Sequence, residues 1–417
     1  MSPALPLEII TEIIDNVGEN KDTNLLKELA LVSQSFNQIC SKHLFATIDL
    51  HDANPICRSS KKGFVKLLKS RPDIVKHIDK LSYKVRGRGM YKGYDDDDHL
   101  LSPILPNYLR TISRLSSLTI NGFKSDWNTL DPSLTSALLY LMHLPTINHI
   151  DLSFIQNFPL SSLTSSANLL LLDIFYLCRS NPREEDGSQI VVKSEIMPKI
   201  REFCTSESTV LTKKLLLAET QDGRPAFNFM DLRRLSISLM RSEDEQNLRY
   251  LLQNAKLLEK LHLTVDLGQR LVGLRDILFP RARTLKILDF TVSLYGETSD
   301  LLPLPLAGLC DELEAMAGHN TLEALSFEVN VDGHETEKFI GCTIQNVEKV
   351  LVKPGWSALR QVSFRISIAC CMASRENSAK LSEALQSLPN KYLSHLSKLE
   401  SVAFNFSASV VKCVFEA

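Results

Sequence analysis

Residue types that often carry chemistry cluster in a few places in this 417-residue chain. Gly87, Gly89 and Gly93 follow a predicted strand, as do the glycines of loops that bind dinucleotide phosphates. Four aspartates, Asp95–Asp98, come shortly after them and would repel a pyrophosphate. Consecutive carboxylates also lack the alternating spacing of a calcium loop. We therefore interpret this stretch as a solvated charged loop and predict no cofactor.

A second group of residues has the types that bind zinc. It consists of Cys40, His43, His51 and Cys57. Because Cys40 falls on the apolar stripe of a predicted helix, packing explains it, and we predict no metal site. The adjacent cysteines at 370–371 are poorly placed to form a disulfide, since bridging neighbours distorts the backbone.

Motifs that would indicate an enzyme are missing from the sequence. No G-x-S-x-G, H-E-x-x-H or G-K-[ST] pattern occurs in the chain. We therefore predict a protein without catalytic activity of its own. A fold that brought histidine, serine and acidic side chains together would favour an enzyme instead.

Composition narrows the class of protein further. Hydrophobic residues make up 44% of the chain and charged residues 23%, which excludes general disorder. The net charge of −2 predicts no binding to nucleic acid or to an anionic membrane. The nine cysteines include no CxxC pair, and no apolar run is long enough to span a bilayer. These features predict an intracellular protein of the cytoplasm, the nucleus or both.

The N-terminal stretch positions many apolar residues at helical spacing. Pro6 suits the first turn of a helix, and Ile9, Ile13 and their neighbours form a broad apolar face. Later apolar residues are too dense for one helix, so two short helices should meet near Ser33. A unit this small cannot bury all of its apolar surface on itself. Residues 1–50 are therefore predicted to be a helical docking domain.

The order of residues in this stretch resembles the F-box, the docking motif of substrate receptors in SCF-type cullin-RING ubiquitin ligases. Leu5-Pro6 followed by Glu8-Ile9 matches the opening of the motif, and Ile13 matches its next aliphatic position. Phe36 stands where the family often has tryptophan. The ending His43-Leu44-Phe45 is common in fungal members. The resemblance implies a set of residues that either contact the adaptor subunit of the ligase or shape the helices that contact it. They are Leu5, Pro6, Ile9, Ile13, Leu29, Val32 and Phe36.

From Phe45 onward a pattern typical of leucine-rich-repeat strands recurs: an apolar residue, two others, an apolar residue, one other, and an apolar residue. Successive occurrences begin 26 to 53 residues apart, so the repeats are irregular. Residues 51–417 are predicted to form an α/β solenoid of parallel strands alternating with helices, with mobile inserts at 86–107 and 180–195. Helices are predicted at Asp131–Leu144, Leu160–Cys178, Glu243–Leu257, Leu304–Met316, Thr336–Val352 and Ser374–Leu393.

Side chains between the apolar positions of each strand should point to the opposite, concave face of such a solenoid. A client protein is predicted to bind on this face. The candidate residues are Arg234, Ser236, Lys260, His262, Asp289, Thr291, Glu328 and Arg365.

The resemblance implies a substrate-receptor subunit that links a client protein to the ligase adaptor and, through it, to a cullin. The alternative is a leucine-rich-repeat scaffold that holds partners but takes no part in ubiquitination. The lifetime of a bound client separates the two, because only the receptor would shorten it.

Overall fold

The computed structural model describes residues 6–50, 60–85, 104–178, 191–192, 197–266, 278, 281, 283–294, 307–332, 337–370 and 375–412. Several residues singled out from the sequence lie outside these ranges. They are Leu5, His51, Cys57, Gly87, Gly89, Gly93, Asp95–Asp98 and Cys371.

Strands and helices alternate along the described part of the chain. The helices are α1 (Leu7–Glu19), α2 (Thr23–Ala30), α3 (Gln34–Leu44), α4 (Ser60–Ser70), α5 (Leu105–Leu109), α6 (Pro132–Met142), α7 (Thr209–Leu216), α8 (Ser242–Asn254), α9 (Ala307–Met316), α10 (Glu337–Leu351) and α11 (Arg375–Tyr392). The strands are β1 (Thr47–Leu50), β2 (Lys80–Lys84), β3 (Ser117–Asp126), β4 (His149–Gln156), β5 (Leu171–Phe175), β6 (Val191–Val192), β7 (Glu202–Ser206), β8 (Glu219–Thr220), β9 (Arg234–Leu239), β10 (Lys260–Asp266), β11 (Ile287–Leu294), β12 (Ala324–Asp332), β13 (Gln361–Cys370) and β14 (Ala403–Lys412). The predicted α/β class, with parallel strands alternating with helices, is confirmed.

The chain divides into two compact units, and each contains parallel strands paired in chain order. The first unit holds residues 1–199 and 217–227. In it β1 to β5 pair successively, and the short β6 pairs with β8. The second unit holds residues 200–216 and 228–417, in which β7 and β9 to β14 pair successively.

The core of the second unit comes from the two-residue alternation of its strands. Leu261, Leu288 and Leu325 occupy one register row and are buried, and a second buried row holds aromatic rings. In that row Phe290 stacks on Phe327 at a centroid distance of 5.7 Å, and Phe327 stacks on Phe364 at 4.9 Å. Because neighbouring parallel strands keep the same register, equivalent positions on successive strands carry apolar side chains that line up in a row.

One predicted helix is wrong. Leu160–Cys178 contains a 3₁₀ segment, Leu160–Ser165, followed by strand β5. Leu169, Leu172 and Ile174 are fully buried and follow the same strand pattern found elsewhere in the chain. A short continuous apolar run fits a buried strand or a helix equally well, and here the neighbouring strand β4 decides between them.

The structure differs from the sequence predictions in several further details. Leu105 and Pro106, placed in an exposed insert, are buried in α5. The repeat pattern aligns Leu399, Val402 and Phe404 with Leu359, Val362 and Phe364. In the last strand, however, Phe404 pairs with Val362, so the apolar positions lie two residues later than predicted. Val191–Val192, within the other insert, forms β6. β1 falls inside the predicted 1–50 domain, yet it pairs with β2 of the predicted repeat region.

Candidate docking surfaces

Three helices, α1 to α3, form an N-terminal bundle with a small core and exposed apolar side chains. Ile14, Leu26 and Cys40 are buried at its centre, one from each helix. Of the sixteen large apolar side chains that are exposed in the described part of the chain, six lie between residues 7 and 32. They are Leu7, Ile9, Ile13, Leu25, Leu31 and Val32. An apolar concentration of this kind indicates an interaction surface.

The predicted adaptor residues fall into two groups in this bundle. Ile9, Ile13 and Val32 are exposed, at 44%, 52% and 64%. Leu29 and Phe36 are partly buried against the core, so they shape the bundle rather than face solvent. Pro6 is exposed at the N-cap of α1. The prediction of binding residues omitted Leu7, Leu25 and Leu31, the last of which is 86% exposed.

An ion pair joins the first and third helices of the bundle. The Nε2 atom of His43 lies 2.6 Å from Oδ1 of Asp15, and Nζ of Lys42 lies 3.1 Å from Oδ2. The hydrogen bond with His43, helped by Lys42, lowers the pKa of Asp15. Gly18 allows this contact, because a Cβ atom there would collide with the His43 ring. Of the residues with zinc-ligand types, His43 thus hydrogen-bonds with Asp15, and Cys40 packs in the core of the bundle.

In the second unit, all eight predicted client residues lie on the sheet face opposite the buried rows. Ser236, His262 and Asp289 are register partners, as are Thr291, Glu328 and Arg365. Arg234 and Lys260 form a third set. None of the eight is fully buried.

The strongest contacts on this face are internal. Nζ of Lys260 lies 2.8 Å from Oδ2 of Asp289. Burial lowers the pKa of His262, which favours the neutral ring near neutral pH. Lys260 and Asp289 therefore satisfy each other, and Arg234 pairs with Glu202 at 3.1 Å, whereas Arg365 is an exposed charge.

The first unit contains a polar cluster that the sequence did not reveal. Oγ of Ser117 lies 3.0 Å from Nδ1 of His149, whose Nε2 lies 3.0 Å from Oδ2 of Asp173. Asp151, the register partner of Asp173, stands beside them. The hydrogen bond with Asp173 raises the pKa of His149. Burial, with the negative charge of Asp173, raises the pKa of Asp151 to about 6.

A serine that hydrogen-bonds to a histidine, which in turn hydrogen-bonds to an aspartate, can be activated as a nucleophile. Acyl transfer also needs hydrogen-bond donors for the oxyanion that forms. The N–H group of Ser117 already donates to the carbonyl of Asp79 at 3.2 Å, so it cannot serve as one. Across the described ranges, no three His, Cys, Asp or Glu side chains are grouped so that they could hold a metal ion. The fold thus brings serine, histidine and acidic side chains together, the arrangement that would favour an enzyme, while the N–H group of Ser117 is not available to bind an oxyanion.

Aromatic side chains lie near the carboxyl ends of the same strands, held out by unusual backbone. Phe123, Phe154 and Tyr176 have positive φ angles of 45°, 55° and 49°. Strict alternation after Leu152 would turn Phe154 inward. The left-handed backbone conformation of Phe154 instead lets Ile155 take the buried position. Such a conformation costs about 1–3 kcal/mol for a bulky residue and is often found at functional sites.

These rings make ordered contacts on the sheet surface. Phe154 and Tyr176 stack with centroids 4.6 Å apart and planes 12° apart. On the neighbouring strand, Nζ of Lys84 lies 3.5 Å from the centroid of the Phe123 ring, a cation–π contact. Gly122 permits the close approach of β3 and β4, because a Cβ atom would collide with the carbonyl of Phe154.

No protein-family model matches this chain, and no curated protein matches its sequence. Among the residues described, no helix combines the length and the apolar character needed to cross a membrane.

Proposed function

We propose that this chain is a substrate-receptor subunit of an SCF-type cullin-RING ubiquitin ligase. The N-terminal bundle binds the adaptor subunit and, through it, the cullin, while the α/β region, an irregular leucine-rich-repeat array, holds a client protein. The chain supplies no chemistry of its own. It raises the effective concentration of the client's lysines near the ubiquitin-charged enzyme of the ligase.

One observation carries this proposal: the bundle has its own core yet exposes Ile9, Ile13 and Val32, which are positions of the F-box-like pattern. Side chains at these positions are not needed to fill the core, because Ile14, Leu26 and Cys40 already do so. Covering such groups with a partner is favourable, and a concentration of them indicates an interaction surface.

The test uses two single substitutions in the full-length chain, Ile13→Asp and Val32→Asp. Each puts a charge into the proposed apolar interface, so we expect co-purification with purified adaptor and cullin subunits to fall at least about tenfold. Because both side chains are more than half exposed, the free energy of unfolding should change by less than about 0.5 kcal/mol.

Leu257→Asp is the matched control, since Leu257 is 45% exposed and lies outside the bundle. It should leave capture of the adaptor unchanged. Undiminished capture by folded Ile13→Asp and Val32→Asp proteins would overturn the proposal. If the unmodified chain itself fails to capture the adaptor, the scaffold function takes its place.

A further inference from the structure

Two aspartates and two aromatic rings on β4 and β5 form a surface that the adaptor-binding role does not use. We call Asp151, Asp173, Phe154 and Tyr176 the acid-aromatic patch. Asp151 and Asp173 are register partners, and the two rings follow them toward the carboxyl ends of the strands. None of the four residues is fully buried, whereas Leu152, Ile155 and Leu172 on the same strands are.

The acidic part of the patch places two carboxyl groups beside one histidine. Asp173 pairs with His149 through one oxygen, Oδ2. Asp151 has a hydrogen bond with Thr119, but its Oδ1 atom is buried and has no hydrogen-bond partner in the described part of the chain. A buried acceptor without a donor is costly, and a ligand donor removes that cost once the Asp151 side chain turns toward it.

The aromatic part lies three residues farther along the same strands, beyond Ser153 and its register partner Phe175. Three residues of a strand span about 10 Å. The Phe154 and Tyr176 rings are nearly parallel, and Tyr176 is 40% exposed. A side chain that reaches the aspartates from this end of the strands therefore crosses the rings.

Arginine fits both parts. Its planar guanidinium group donates to carboxylates through two parallel hydrogen bonds, and its methylene stem packs on apolar surface. Lysine offers a single point charge and cannot bridge two carboxylates in the same way. The chain itself contains a similar contact on the next strand, where Lys84 covers Phe123. An anionic ligand would be repelled by the aspartates.

We propose that the acid-aromatic patch binds an arginine side chain of the client protein, with the guanidinium group on Asp151 and Asp173 and the stem across Phe154 and Tyr176. This inference rests on the proposed function, because it names the chemistry by which a client-binding receptor would recognise its client. It also moves the main client contact from the second unit, where the sequence predicted it, to the first.

The test uses two synthetic peptide libraries with three randomised residues on each side of a fixed central residue. That residue is arginine in one library and citrulline in the other, because citrulline keeps the shape of arginine but not its charge. Peptides retained by the immobilised full-length chain are quantified. We expect the arginine library to be retained at least tenfold more than the citrulline library.

Asp151→Asn together with Asp173→Asn should reduce arginine retention to the citrulline level. Tyr176→Leu should reduce it about threefold, since leucine keeps apolar bulk but lacks the aromatic face. The control is Asp222→Asn, an exposed aspartate of the same unit that pairs with Arg224. It should retain the full preference for arginine.

Equal retention of both libraries by the unmodified chain would overturn the inference. So would an arginine preference that survives the double aspartate substitution in a protein with normal circular dichroism. Adaptor capture, measured on the same variants, separates this failure from that of the proposed function. If the adaptor is captured without arginine preference, only the patch fails. If arginine is preferred without adaptor capture, only the ligase role fails.

Discussion

At the scale of single residues, two aspartates respond in opposite ways to their surroundings. Asp15 is paired with His43 and Lys42, and its pKa is lowered. Its contribution to stability is therefore present above its ordinary pKa and is lost as the pH falls. Asp151 lies beside Asp173 and is partly buried, so its pKa is raised from 3.8 to about 6. Near neutral pH its charge opposes folding.

We therefore predict that Asp151→Asn stabilises the protein at pH 7.5. Asparagine keeps the shape and a hydrogen-bond acceptor for Thr119 but cannot ionise. Since the pKa of Asp151 is raised from 3.8 to about 6, loss of its charge should stabilise the folded state. After a discount for partial exposure to solvent, we expect the free energy of unfolding to rise by about 1–2 kcal/mol. The gain should shrink as the pH falls from 6 to below 3.8, because the folded and unfolded states of the original protein then both hold the proton.

Urea denaturation at pH 7.5 and at pH 4 measures this difference. The charged groups that face Asp151 are Asp173 and His149, with Lys80 beyond His149. Asp222→Asn, at an exposed pair, should change stability by less than about 0.5 kcal/mol at either pH. A loss of stability at pH 7.5 in Asp151→Asn would show that the carboxylate is satisfied rather than strained.

At the scale of elements, the parallel register explains why strands of the second unit depend on one another. Phe327 is 1% exposed and stands between Phe290 and Phe364 in the stacked row. Removal of its ring would leave a cavity that touches three strands. Neighbouring strands cannot close that cavity without breaking their own hydrogen-bond register.

Phe327→Ala should lower the free energy of unfolding of the second unit by about 3–5 kcal/mol, which is the usual range for loss of a buried phenylalanine. Phe327→Leu, which fills most of the space, should cost less than about 1.5 kcal/mol. Denaturant unfolding followed by circular dichroism checks both. A difference of less than 1 kcal/mol between the alanine and leucine variants would contradict a tightly packed aromatic row.

At the scale of the whole molecule, the proposed receptor needs adaptor capture and client binding at once. A reporter protein that carries the best-retained arginine peptide is the simplest client. Its half-life in cells should fall at least twofold when the unmodified chain is expressed, because binding to both partners brings its lysines to the ligase. Ile13→Asp and the double Asp151→Asn and Asp173→Asn substitution should each restore the half-life. A reporter that binds but keeps its half-life would favour the scaffold.

The sequence determined the elements whose apolar period is regular. The helix spacing of Ile9, Ile13 and Ile14 and the strand pattern around Leu261, Leu288 and Leu325 both follow from local geometry, which each residue obeys without help from distant parts of the chain. The same alternation correctly put Arg234, His262 and Arg365 on the face opposite the core.

Tertiary structure alone decided what depends on neighbouring strands. The run around Leu172 is apolar without a clear period, so only pairing with β4 makes it β5 rather than a helix. Left-handed φ angles are rare for aromatic residues, so the outward positions of Phe154 and Tyr176 could not be foreseen. Ser117, His149 and Asp173 are up to 56 residues apart in the sequence and meet only because three successive strands share one register. Long-range register, unlike local period, is a property of the assembled sheet.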